Sequence, residues 1–258
     1  MRIVPYLAIA TLAAIFCGWS WNLGTMQGPV GSIEEVPSIF NISSIIASVL
    51  FFGSAWLVLS KNLKNSFFVL AGISSWYVAV VILGRLEFFA ARPLFAPNIA
   101  FAFIVLAISI RKLTSLPSLR TAFEKTSLDK IFLVQTFRVM GVVFLTLYAM
   151  KVLPGEFAIS TGVGDIFIGL TAPFVAYIYF LQKPFSKPIA VLWNWVGIAD
   201  LALSISLGIL TYPEPLEVIT TRVSNAPIAL YPLVIIPVFA VPFSLLLHLL
   251  SLNALKKR

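Results

Sequence analysis

Two aspartates and one arginine lie inside apolar stretches on three successive candidate helices: Arg138, Asp165 and Asp200. An ionisable side chain in hydrocarbon costs roughly 3 kcal/mol on insertion scales. Such groups face a bundle interior or a wet cavity, pair with one another, or carry an ion or proton. Two carboxylates and one guanidinium leave a formal charge of minus one when all are ionised. A buried set with that charge suits proton coupling or the binding of one cation. The same set can instead be a neutralised network that only fixes helix packing.

The neighbours of each charge sharpen the reading. Asp165 belongs to the stretch 161–182, within Gly162-Val163-Gly164-Asp165. Gly162, Asp165, Gly169, Ala172 and Ala176 step by three and four, so they share one helix face. A seam of small residues lets a second helix approach closely, which points Asp165 at protein rather than lipid. Pro173 leaves the carbonyl of Gly169 without its helical donor. A free carbonyl near a carboxylate is a possible ligand for a cation or water. Asp200 has similar surroundings, with Gly197, Ser204 and Gly208 on its face and Asn194 at the edge. Gln135 and Thr146 flank Arg138. The candidate substrate- or proton-binding residues are therefore Asp165, Asp200, Arg138, Asn194, Gln135 and Ser204.

Depths follow from a rise of about 1.5 Å per residue. Arg138 lies roughly 10 Å from one end of its helix, Asp165 roughly 12 Å from the other side, and Asp200 roughly 16 Å in. These depths overlap, so Arg138 can pair with either aspartate, and spacing does not choose between them.

Gly162-Val163-Gly164-Asp165 resembles the Gly-x-Gly-Asp motif of presenilin-type intramembrane aspartyl proteases. The resemblance implies Asp165 and Asp200 as a catalytic pair. It covers only those four residues. The preceding helix offers Arg138 where the family has Tyr-Asp, and Ala240-Val241-Pro242 stands where the family has Pro-Ala-Leu.

The helices that must position these charges are announced by composition. Of 258 residues, 60% are hydrophobic and 11% charged, more apolar surface than a soluble domain of this size can bury. The expected fold is all-α: a polytopic integral membrane helix bundle forming one membrane-embedded domain over residues 1–258. A single Cys excludes an internal disulfide, and a single His excludes a bis-His haem or a His-rich metal site. No phosphate-binding glycine loop or zinc-ligand set occurs. No cofactor and no metal is expected.

About eight spans are expected, at 3–21, 39–59, 67–83, 93–110, 131–150, 157–181, 189–210 and 230–252. Residues 3–21 lack a small-residue exit and are expected to remain as a span. Residues 22–38 read as a loop, and Arg85 and Glu87 as interfacial anchors. Pro237 and Pro242 would free the carbonyls of Leu233 and Val238 in the last span. His248 reads as a structural histidine near the helix end, and Trp193, Trp195, Tyr212 and Tyr231 as boundary aromatics.

Lys and Arg divide unevenly between the two sides. One side holds Arg2, Lys61, Lys64, the basic loop 111–130, Lys183, Lys187 and the bases at 256–258. The other holds only Arg85, Arg92, Lys151 and Arg222. The positive-inside rule puts both termini in the cytoplasm, with a bacterial inner membrane as the expected location. A four-plus-four pseudo-repeat is conceivable, 1–110 and 131–252, joined by the basic loop. It rests on a faint echo of Gly72-Ile73-Ser74-Ser75 in Gly197-Ile198-Ala199-Asp200.

Three function classes fit. The first is a carrier or binder of a small solute or ion, with Arg138 balancing the carboxylates or holding an anionic group. The second is a non-catalytic membrane scaffold or assembly protein whose charges lock helices. The third is an intramembrane enzyme using two aspartates as acid and base. The lipid bilayer is the expected partner and nucleic acid is not, since the basic charge follows topology. Oligomeric state is not legible from the chain.

Overall fold

The computed structural model describes residues 3–36, 67–90, 126–213 and 217–257, with isolated positions 38, 112, 115 and 117. The expected spans at 39–59 and 93–110, and most of the loop 111–130, lie outside the described residues. Every described element is helical, and no strand occurs among the described residues.

Helix α1 is Val4–Gln27. Pro5 sits in its first turn, where no helical N–H is required of it. Gly28, at φ 70°, ends it. The helix thus absorbs residues 22–27, which read as loop in the sequence. Their polarity is satisfied locally: Thr25 donates back to the carbonyls of Trp21 and Asn22, both at 3.1 Å. Helix α2 is Phe67–Arg85, followed by Glu87 at φ 54°. The guanidinium of Arg85 lies 5.0 Å from the centre of the Tyr231 ring.

Helix α3 runs Leu128–Ala149 and is not uniform. Two α-helical ends, Leu128–Val134 and Val142–Ala149, enclose a 3₁₀ stretch, Gln135–Gly141. Runs this long are uncommon because the hydrogen-bond geometry is poorer, and mid-helix examples often mark functional hinges. Helix α4 is Gly155–Phe180, with Glu156 in its first turn, where the helix dipole favours an acid. It continues as helix through Pro173. Helix α5 is Ser186–Leu210.

Helix α6 is Ile236–Lys257 and begins with a π-helical turn, Ile236–Ala240. It starts later than the expected 230, and Pro232 lies before it. The carbonyl of Leu233 is not free as expected, because the Ile236 N–H donates to it at 2.9 Å.

Helices α3 and α6 are mostly buried, while α1 turns most of its surface outward. The seam expected on α4 is real. Gly162, Asp165, Gly169, Ala172 and Ala176 are all buried, and α4 packs along the 3₁₀ stretch of α3. A Cβ on Gly162 would lie 2.9 Å from the carbonyl oxygen of Gly141, and one on Gly169 would collide with the backbone of Val139. Helix α1 crosses α3 in the same way, where a Cβ on Gly24 would strike Thr146.

Outward positions carry Leu12, Ile15, Val163, Phe167, Leu192 and Leu203. Apolar side chains spread over this much outer surface suit hydrocarbon rather than water. Among the described residues, five helices, α1 and α3 to α6, are long and apolar enough to cross a membrane. The chain reads as a membrane protein on that composition.

Candidate functional site

The charges expected on three helices converge on one guanidinium. Arg138 projects from the 3₁₀ stretch of α3 and is 2% exposed. Its Nε donates to Asp165 Oδ1 at 2.7 Å. Its Nη2 donates to Asp200 Oδ2. Arg138 therefore pairs with both aspartates, the choice that spacing left open. Its Nη1 reaches the carbonyl of Gly197 at 3.3 Å and His248 Nε2 at 3.2 Å.

Chemistry assigns the histidine proton. A guanidinium has donors only, so Nε2 of His248 must be the acceptor. The ring proton then sits on Nδ1, which lies 2.9 Å from Asn194 Oδ1 and donates to it. Asn194 Nδ2 in turn donates to the carbonyl of Ala190 at 2.7 Å. Each link in this chain has one consistent direction, from Arg138 through His248 to Asn194 and the α5 backbone.

Three glycines make the convergence possible. A Cβ on Gly141 would collide with Asp165, one on Gly164 with the Asp200 carboxylate, and one on Gly197 with the His248 ring. Each charged or polar group thus occupies the place of a missing side chain on the neighbouring helix. The Gly-x-Gly-Asp sequence has a local explanation here: Gly162 lets α3 and α4 close, and Gly164 seats Asp200. Both aspartates that the resemblance implies as a pair meet the Arg138 guanidinium.

The remaining candidates separate. Gln135 joins α6 through a reciprocal pair: its Nε2 donates to the Ser244 carbonyl at 3.1 Å, and Ser244 Oγ donates to Gln135 Oε1 at 2.7 Å. Ser204 is buried on α5 and makes no hydrogen bond among the described residues. Thr146 faces away from Arg138, toward α1, where its hydroxyl meets Ser20 Oγ at 3.1 Å.

His248 and Ser244 were missed as site residues. The stripe Ser244, His248, Ser251 on one face of α6 is the signal that could have found them. His248 is fully buried against protein. Trp193 is likewise buried. It packs edge-on to His248, with ring centres 5.3 Å apart, and donates to Thr171 Oγ1 at 2.9 Å. Tyr212 is also buried. Trp195 does face outward, at 56% exposure.

A cavity of about 60 Å³ adjoins the cluster. Arg138, Asp165 and Ser244 line it, while most of its wall is apolar, including Phe137, Phe144 and Leu201. It lies where the 3₁₀ stretch of α3 faces the π turn of α6, both of which contribute wall residues. Backbone irregularity in a membrane helix is tolerated where it is buried in protein or lines a cavity. Among the described residues, no group of His, Cys, Asp and Glu is arranged to hold a metal ion.

Residues 94–256 match the family described as a domain of unknown function, DUF8737. The matched stretch includes every residue of the charged cluster and leaves α1 and α2 outside it. No curated protein and no solved structure matches the chain.

Proposed function

We propose, for a chain that belongs to the DUF8737 family, a multi-pass membrane carrier that binds a small solute or ion beside Arg138 and Asp165. The observation behind this reading is the cavity that reaches an ion pair at an irregular turn of α3. Irregular helix segments at a buried polar site are a recurring feature of membrane carriers.

The proposal includes eight spans, cytoplasmic termini and a bacterial inner membrane, supported by the Lys and Arg asymmetry. A carboxyl-terminal green fluorescent protein fusion should fluoresce, and a periplasm-dependent phosphatase fusion at the same site should be silent. The reverse result would overturn the topology.

Transport is tested in proteoliposomes carrying a potassium diffusion potential and an internal pH dye. Protein-dependent ion movement is expected, reduced in D165N that purifies as a single species. Flux equal to empty vesicles for every ion tried, and unchanged in D165N, would sink the carrier reading.

The engagement of Arg138 supports a second reading, a scaffold in which the charges hold helices. Four of its N–H groups are directed at protein acceptors. Under that reading Arg138→Leu lowers folded yield, paired neutralisation restores it, and no flux is seen.

A further inference from the structure

We propose that the ligand of the cavity is a compact monovalent cation bearing an apolar group, with methylammonium its simplest member, and that Asp165 supplies the counter-charge. This rests on the binding-site reading above and names its substrate class.

Charge comes first. With all three ionised, Asp165, Asp200 and Arg138 sum to minus one, and His248 adds nothing, because its Nε2 accepts from a guanidinium that can only donate. The cluster lacks one positive charge, and an unbalanced charge away from water is costly. An anion gains little here. Of the five N–H groups of a guanidinium, four of those on Arg138 already meet Asp165, Asp200, Gly197 and His248.

Position comes second. Asp165 lines the cavity, whereas Asp200 and His248 do not. One oxygen of Asp165 accepts from Arg138 Nε, and among the described residues no protein donor engages the other. Asp165 is 8% exposed, so this carboxylate oxygen has little bulk water to serve it.

The walls then select among cations. Tyr77, Phe137 and Phe144 present aromatic rings, and Leu201 and Leu233 are aliphatic. A divalent ion wants about six or more oxygen ligands or retained waters, which Asp165 and Ser244 do not supply. Aromatic faces instead attract an ammonium, most strongly when it has shed water. The cavity of about 60 Å³ exceeds the roughly 10–15 Å³ that a single water requires, so a methylated ammonium fits.

The test uses the full chain in detergent, with the melting midpoint followed during titration at constant ionic strength. The probes are methylammonium, methanol as a neutral match, formate as an anion, and sodium. A saturable rise with methylammonium alone is expected. D165N should lose it. A240L should also lose it, because Ala240 lines the cavity without belonging to the charged cluster. If D165N does not purify folded, A240L carries the comparison.

A rise with methanol or formate that A240L removes would overturn the cation claim and leave the binding site standing. No saturable response to any probe, together with null flux, would remove both. A methylammonium response that persists unchanged in A240L would place the ligand elsewhere and overturn the proposal.

Discussion

The carboxylate of Asp200 rests on the bare backbone of Gly164, one residue before the other aspartate of the cluster. Two helices thus exchange a side chain for its absence. The pattern repeats where Asp165 sits over Gly141 and His248 over Gly197. The charges are held by steric fit as well as by attraction, and the two contributions can be separated by mutation.

Gly164→Ala tests the steric part. The added methyl runs into the Asp200 carboxylate, and overpacking of this kind costs about 1–3 kcal/mol. Gly18 on α1 has nothing within 4 Å, so G18A is the control. It should be neutral or gain about 0.5–1 kcal/mol from better helix propensity. Thermal unfolding in detergent compares the two, and a G164A protein that melts with wild type would disprove the interlock.

Arg138→Met tests the electrostatic part. It leaves two inward carboxylates without their cation, and breaking a buried pair costs about 3–5 kcal/mol. The triple variant R138M/D165N/D200N removes all the charge at once and should recover much of the folded yield. Size-exclusion profiles give the readout. A triple variant that aggregates more than R138M would show that pairing is not what the arginine is for.

How much of this was legible in the sequence follows from the same physics. Arg138, Asp165 and Asp200 stand out because a charge within twenty apolar residues is expensive. The α4 seam stands out because small residues recur at helical spacing. His248 did not stand out. With the last span expected to end at 252, His248 lay close to that end. The helix runs on to Lys257, and His248 is fully buried against protein. Its partners, Arg138 and Asn194, lie far away in the chain, and no local spacing announces them. The π turn at 236–240 was equally hidden, since proline signals an irregularity without saying which kind.

The single histidine makes the proton assignment directly measurable. Selective ¹⁵N-histidine labelling should give one ring, protonated on Nδ1 and bare on Nε2 near neutral pH. The opposite tautomer would mean that Arg138 does not donate to it. His248→Leu should cost about 1–3 kcal/mol by leaving Arg138 Nη1 and Asn194 Oδ1 short of a partner.

Gln135 and Ser244 form a second link between α3 and α6, at the cavity rim. Their side chains should show a coupling of about 0.5–3 kcal/mol in a double-mutant cycle of Q135L and S244A. Additive losses would mean that the hydroxyl–amide bond contributes nothing, since the Ser244 carbonyl survives in S244A.

The 3₁₀ stretch in α3 also changes how this helix measures the bilayer. Three-ten backbone rises about 2.0 Å per residue, against about 1.5 Å for α. The residues Gln135–Gly141 therefore reach about 3.5 Å further than the same residues in an α-helix. Helix α3, with 22 residues, spans the thickness of an α-helix about two residues longer. Its fit to the membrane is set by winding as well as by residue count, so rewinding this one stretch would shorten the rod and draw Arg138 along its axis.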